Sequence, residues 1–411
     1  MQRAWKKNLL LLLVIGGLSS CAQTGLAPSP TATPTPLATA ALQPTPQISA
    51  DPGLFAAVTD RYEAEVVEGQ NGYPLLKPIL NSELPEGLGD DLEMVSVDSP
   101  EQIKGFDTLL LPTLQEGFSK DVFVPPGRLE AGSGDINYRG LRHLVALVVQ
   151  RAEQQQEEKN LESALELVQL PLALADAMQS RPETVSVNLF SGGYASSALD
   201  WIQTSLESGE LDQDTIGKLQ QVLSEYSPSY SHVEESITVD FAQLTNSLAT
   251  EEGRQMMGIG QVQDSTLETW NQQLGEIYQE ATQLYQTEQL DPDAFNRIVL
   301  EASGPIQGLV IDYPAMATMQ KRYFAEYKAT ELGLALVGPD APKWKDLDTD
   351  ELLESYFKEE PETVEALSDL LKIERDEEGA VTIKGQMEQF ELLAPGVEPI
   401  LFEHRPIAEN E

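Results

Sequence analysis

The chain has 411 residues, 41% of them hydrophobic, with 26 basic against 67 acidic side chains and a formal charge of −41. That length is ample for a large core in one extended domain or two, and so negative a surface repels phosphate backbones and anionic headgroups, which excludes nucleic acid as a partner. The acids are spread along the chain instead of gathered in ligand loops, which predicts a solvated acidic exterior; a saline habitat and a calcium-loaded surface are both compatible with it.

The amino terminus follows insertion rules before packing rules. Arg3, Lys6 and Lys7 precede an apolar run over residues 9–15 that softens at Gly16 and Gly17. A spanning helix needs roughly 20 apolar residues, so this run is too short to be an anchor. Leu18-Ser19-Ser20-Cys21 follows: an aliphatic residue, two small residues and a cysteine. It resembles the lipobox of bacterial lipoproteins. The resemblance implies a signal peptide over residues 1–20, cleavage before Cys21, and lipid on its thiol. Several acyl chains together hold a protein durably on a membrane, where one alone is marginal. It also implies a cell-envelope location outside the cytoplasm, with the membrane as partner through the lipid on Cys21. Ala22 in place of aspartate fits export to an outer membrane where there is one. Cys21 is the only cysteine. Its lipidation leaves the body without disulfide, thiolate metal site or cysteine nucleophile.

Residues 21–50 are rich in Pro, Thr and Ala, with Pro28, Pro30, Pro34, Pro36, Pro44 and Pro46 breaking any helix. This composition buries no core and favours an extended tether, on the order of 90 Å long at roughly 3.1 Å per residue.

From residue 51 onward the periodicity is mostly helical. An amphipathic helix is expected over 54–68, ending at Gly69 and the turn Asn71-Gly72-Tyr73-Pro74. A proline-broken stretch to Pro126 carries one short helix over 106–118. The clearest unit spans 138–179. Leu141, Leu144, Val145, Val148 and Ala152 fall on one helical face, and Leu161, Ala164, Leu165 and Val168 repeat the pattern after a polar link, with Asn160 as the expected cap. The two helices should pack antiparallel, and Pro171 should kink the second. Further helices are expected over 185–206, 214–226, 232–249, 265–285, from Asp291 or Asp293, and over 314–337, 350–357 and 362–372. Ile373-Glu374-Arg375 and Val381-Thr382-Ile383, joined across Gly379, read as a β-hairpin. The expected fold is therefore mainly α: helical hairpins in an irregular bundle or short solenoid over 51–345, then C-terminal helices and a small β-hairpin over 346–411.

The runs Arg139-Gly140-Leu141-Arg142-His143-Leu144 and Leu161-Glu162-Ser163-Ala164-Leu165-Glu166-Leu167 resemble tetratricopeptide-like hairpins. The stretch 106–226 is similar to the helical core of a group of exported bacterial proteins with no assigned activity. The tryptophan, glycine and tyrosine positions of a tetratricopeptide are missing, and no fixed period repeats. The resemblance implies a helical scaffold and brings no activity.

Catalytic spacing is not found. His143, His232 and His404 form no metal or triad motif. Asp346-x-Asp348-x-Asp350 copies the start of a calcium loop, but Glu351 and Phe357 stand where that loop needs glycine and glutamate; the acids instead suit the start of a helix. Phe190 to Ser197 holds small residues and hydroxyls without a nucleophile elbow, and reads as a close helix–helix contact. Met256, Met257 and Ile259 between Gly253 and Gly260 read as a buried turn, and Tyr226 and Tyr230 around Pro228 as a loop on the core. No cofactor and no metal site are expected. The sequence leads to a non-enzymatic envelope scaffold or binding protein with an envelope protein as partner. A solute-binding lipoprotein of a transporter and an exported hydrolase using carboxylates are the alternatives.

Overall fold

The computed structural model describes residues 69–125, 136–180, 184–209, 211–226, 233–259, 261–286, 292–302, 306–310, 313–344, 347–375, 380–386 and 400–404. The expected leader, Cys21, the tether and the helix over 54–68 lie outside these residues. The protein is mainly helical, with a small C-terminal antiparallel sheet.

The Asn-Gly-Tyr-Pro segment starts a helix, where the sequence suggested only a turn. Asn71 Oδ1 accepts from Tyr73 N at 3.0 Å and Val124 N at 3.1 Å, while its Nδ2 donates to Val124 O at 2.7 Å. One side chain thus caps α1 (Tyr73–Leu80) and stitches it to the strand-like segment after the next helices. Gly72 is required, because a Cβ there would stand 1.9 Å from Gly117 O. The expected helix over 106–118 begins earlier. Ser99 caps α2 (Pro100–Gly105), which runs through a π-turn at Phe106–Leu110 into α3 (Leu111–Phe118). Phe106, Leu110 and Leu114 are all fully buried, so the wider turn keeps three large side chains on the core side.

The helical hairpin forms as expected, from α4 (Tyr138–Glu157) and α5 (Leu161–Gln179). All five predicted face residues of α4 are buried. Asn137 Oδ1 caps α4 at Gly140 N, 2.9 Å, and its Nδ2 reaches back to Leu80 O at the end of α1, 2.8 Å. Arg151, buried on α4, clamps Asp107 of the π-turn through two 3.0 Å bonds, a bidentate geometry that fixes orientation as well as charge. Asn160 stands at the N-cap of α5, but its side chain does not cap. Its amide nitrogen donates to Ser163 Oγ at 2.9 Å, leaving only its carbonyl to start the helix. The helix continues through Pro171 to Gln179.

Beyond the hairpin come α6 (Val185–Ser208), α7 (Gln213–Glu225), α8 (Val233–Ala249), α9 (Glu251–Met256), α10 (Asp264–Gln286), α11 (Pro292–Glu301), α12 (Ile306–Leu309) and α13 (Tyr313–Val337). Outer helices α4 and α7 bury one stripe, whereas α5, α6 and α13 are buried on most sides and form the central layer. Two hydrophobic clusters share that layer. The larger holds α1–α5, α7, the carboxyl-terminal parts of α6 and α13, and the C-terminal elements. The smaller joins α8, α10 and α11 to the first turns of α6 and α13 through Val185, Leu189, Tyr313, Met316 and Met319. Each fully buried leucine or phenylalanine in these clusters contributes about 1.5–3 kcal/mol.

Short helices α14 (Ala341–Trp344), α15 (Thr349–Tyr356) and α16 (Pro361–Ser368) lead to β1 (Leu371–Arg375), β2 (Val381–Gly385) and β3 (Ile400–His404). The helix expected over 362–372 stops at Ser368, because Leu371 to Arg375 pairs with β2; Lys372 faces Lys384, not a helical turn. The expected hairpin is present, and β3 adds a third strand antiparallel to β2 with Ile383 opposite Phe402. Asp348 caps α15, accepting from Glu351 N at 2.9 Å while Glu351 Oε2 accepts from Asp348 N at 3.3 Å. That reciprocal box is the helix-start role expected of Asp348; Asp346 lies outside the described residues.

Candidate functional site

The central layer leaves a cleft where α5, α6 and α13 meet the end of α7. Small residues create it. Gly192 of α6 lies against the ring of Tyr323 on α13, where a Cβ would come within 2.4 Å of Cδ2. Ala195 and Ser196 continue the same face, so the helices approach closely, as the Phe190 to Ser197 segment predicted. The cavity volume is about 40 Å³, lined by Leu172, Asp176, Gln179, Asn188, Leu199, Tyr226, Gln320, Phe324 and Tyr327 beside the residues just named. Such a space accommodates a few water molecules.

Several polar groups around it are bonded to protein. Ser191 Oγ donates to Asn188 O at 2.8 Å and accepts from Gln179 Nε2 at 2.5 Å. Asn188 Nδ2 donates to Ser236 Oγ at 2.5 Å, Ser196 Oγ to Glu326 Oε2 at 3.1 Å, and Tyr327 Oη to Leu223 O at 2.8 Å. Two acceptors are left over: Gln179 Oε1 and Gln320 Oε1 are buried without a hydrogen-bond partner.

Charge around the cleft is shaped by burial. Burial, reinforced by the Asp200 carboxylate, pushes Glu326 up to about 7 against the opposing pull of Arg322 and Ser196. Asp176 is also raised by burial, and burial with Glu326 nearby pushes the Tyr323 phenol up to about 12.

Two further buried polar clusters hold helices together. Asp240 of α8 accepts from Val185 N at 3.3 Å and from the Tyr313 hydroxyl; burial pushes its carboxyl up to about 8. Lys328 of α13, 1% exposed, bonds Glu331 and Glu360 at 3.1 Å each and sits 5.0 Å from the Phe357 ring. Glu331 also receives the Tyr356 hydroxyl, which accepts from Gln220 of α7 at 3.1 Å. The cluster ties α13 to α7, α15 and α16.

The residues singled out by sequence are dispersed. His143 Nε2 is 3.0 Å from Val95 O, a structural contact. His404 lies in β3, its pKa lowered by burial and its Nδ1 without a partner; His232 lies outside the described residues. Tyr226 reaches the cleft, while Pro228 and Tyr230 lie outside the described residues. Gly258, at φ +71°, turns the chain after α9 so that Ile259 enters the smaller core; Met257 is half-buried and Gly258 itself is exposed, so the turn expected to be buried is only partly so. Among the described residues no three histidine, cysteine, aspartate or glutamate side chains are grouped to hold a metal ion, and no helix is long and apolar enough to cross a membrane. Cys21 lies outside the described residues. Glu326, Asp240 and Lys328 were missed by sequence reasoning. The only signal for them is helical spacing, Tyr323 to Glu326 and Lys328 to Glu331, which is common among so many acids.

No protein family, curated protein or solved structure matches the chain. No activity can therefore be carried to it from a relative.

Proposed function

We propose that the chain is a lipid-anchored protein of the cell envelope whose helical body acts as a non-enzymatic scaffold or binding protein. The observation that carries the anchor is the sequence Leu18-Ser19-Ser20-Cys21 behind a basic start and a short apolar run, with the chain's sole thiol at the lipidated position. The body supports the second half. Two of its shifted acids lie in seams between helices, hydrogen-bonded to structural partners: Asp240 to Val185 N and Glu326 to Ser196. The resemblance of 138–179 to tetratricopeptide-like hairpins points the same way. A two-lobed solute receptor is less favoured, because strands among the described residues are confined to one three-stranded sheet.

Fractionation tests the anchor. Wild-type protein is expected in the membrane fraction, extracted by detergent and not by high salt, with Cys21→Ser released or retained as an uncleaved precursor. A wild-type chain found free in the cytosol would overturn the reading.

A further inference from the structure

We propose that the outer edge of β1 pairs with β1 of a second copy of the chain, antiparallel and centred on Ile373, joining two three-stranded sheets into one. The order β1-β2-β3 leaves the sheet two outer edges. Backbone alternation tells which groups lie on them. Gln386 N donates to Leu370 O at 2.9 Å, and in the same register the backbones of Lys372 and Glu374 face β2, so Ile373 directs its N–H and C=O away from it. On the far side the same alternation turns Glu403 outward, and there Gln203 bonds both its N–H and its carbonyl. The β3 edge is thus closed by a side chain that imitates a neighbouring strand. On β1, Gln386 Nε2 stands 3.4 Å from Leu371 O, but among the described residues nothing bonds the outward groups of Ile373. Such an edge is a template for another strand.

The side chains select the occupant and its register. A two-fold axis through Lys372 would set that lysine against its own copy, and one through Glu374 would set two glutamates together; both are unfavourable. Through Ile373 the axis sets Lys372 opposite Glu374 of the second copy, twice, so the strand is complementary to itself. These charges already meet on the outer face of the sheet, where Glu374 bonds Lys372 at 2.9 Å and Lys384 at 2.7 Å. On the other face Ile373 would meet its copy and extend the row Ile373-Ile383-Phe402 that lies on the larger core. A net charge of −41 opposes unspecific self-association, so pairing has to come from local attraction of this kind.

Sedimentation of the full chain in detergent, taken to about 0.2 mM because so short an edge gives a weak interface, tests this with paired charge variants. Wild type is expected to form dimers reversibly. Lys372→Glu and Glu374→Lys each set like charges across the edge and should weaken the dimer about tenfold, with melting curves showing both folded. The double variant restores opposite charges and should dimerise as wild type does. So should an equimolar mixture of the two single variants, as a heterodimer, since the acids of one then face the lysines of the other. A wild type that stays monomeric would overturn the proposal. Dimers indifferent to the single substitutions would do so too, because they would place the contact elsewhere. Failure of both the double variant and the mixture to recover dimers would show that the substitutions act on something other than this register.

Discussion

Phe402 of β3 packs onto Gly333 of α13 so closely that a Cβ on the glycine would meet three ring carbons at 2.5 Å. The sheet is thereby seated directly on the backbone of the central helix. Gln203 of α6 adds a second fastening, its side-chain amide bonding both the carbonyl and the N–H of Glu403. Gly333→Ala should therefore cost about 1–3 kcal/mol, since the ring has to move out of a packed site despite the better helix propensity of alanine. Chemical denaturation checks it; an unchanged or raised midpoint would mean the sheet can lift without cost.

Adjacent glycines of α6 give an internal control for the cleft. Gly192→Ala drives a methyl into the Tyr323 ring at 2.4 Å, whereas Gly193→Ala meets only the Tyr323 hydroxyl at an ordinary 3.6 Å. The first should destabilise by about 1–3 kcal/mol, and the second should be neutral or stabilising by up to about 1 kcal/mol, as helix propensity dictates. Thermal melts of the two single variants decide it, and equal effects would contradict the close approach.

The buried Lys328 cluster predicts non-additivity. Lys328→Met leaves Glu331, 4% exposed, without its cation and should cost about 3–5 kcal/mol. Adding Glu331→Gln to that variant removes the stranded charge and should recover part of the loss. Additive destabilisation in a double-mutant cycle would show the pair to be uncoupled.

Asp240 predicts a pH dependence of defined sign. Burial raises its folded-state pKa to about 8 from an ordinary 3.8. Between those values the unfolded chain loses the proton and the folded chain keeps it, so the stability it confers is full below about pH 4 and declines until about pH 8. The slope from this one group approaches about 1.4 kcal/mol per pH unit. Asp240→Asn, which cannot ionise, should therefore gain on wild type steadily from pH 4 to pH 8. A constant difference between the two across that range would show that Asp240 is ionised in the folded protein.

These positions also mark what the sequence could disclose. The α4 face from Leu141 to Ala152 was legible because its apolar residues recur with the helical period and one side meets water. The all-round burial of α6 and α13 left no such stripe, and the stripe read on α5 stopped at Val168, so their existence could be read but not their central place. Gly192 announced a close contact without naming Tyr323, which comes from a helix far along the chain. Strand β3 was missed because five residues carry little periodicity and its pairing to β2 is a long-range event. The cleft escaped for the same reason: its lining comes from α5, α6, the end of α7 and α13, which meet only once the helices are packed.

The most direct test of the anchor is mass spectrometry of the mature amino-terminal peptide from membrane-extracted protein. The account predicts a peptide beginning at Cys21 and carrying a diacylglyceryl group with an amino-terminal acyl chain or free amine. A peptide beginning at Met1, or one with an unmodified Cys21 thiol, would contradict it.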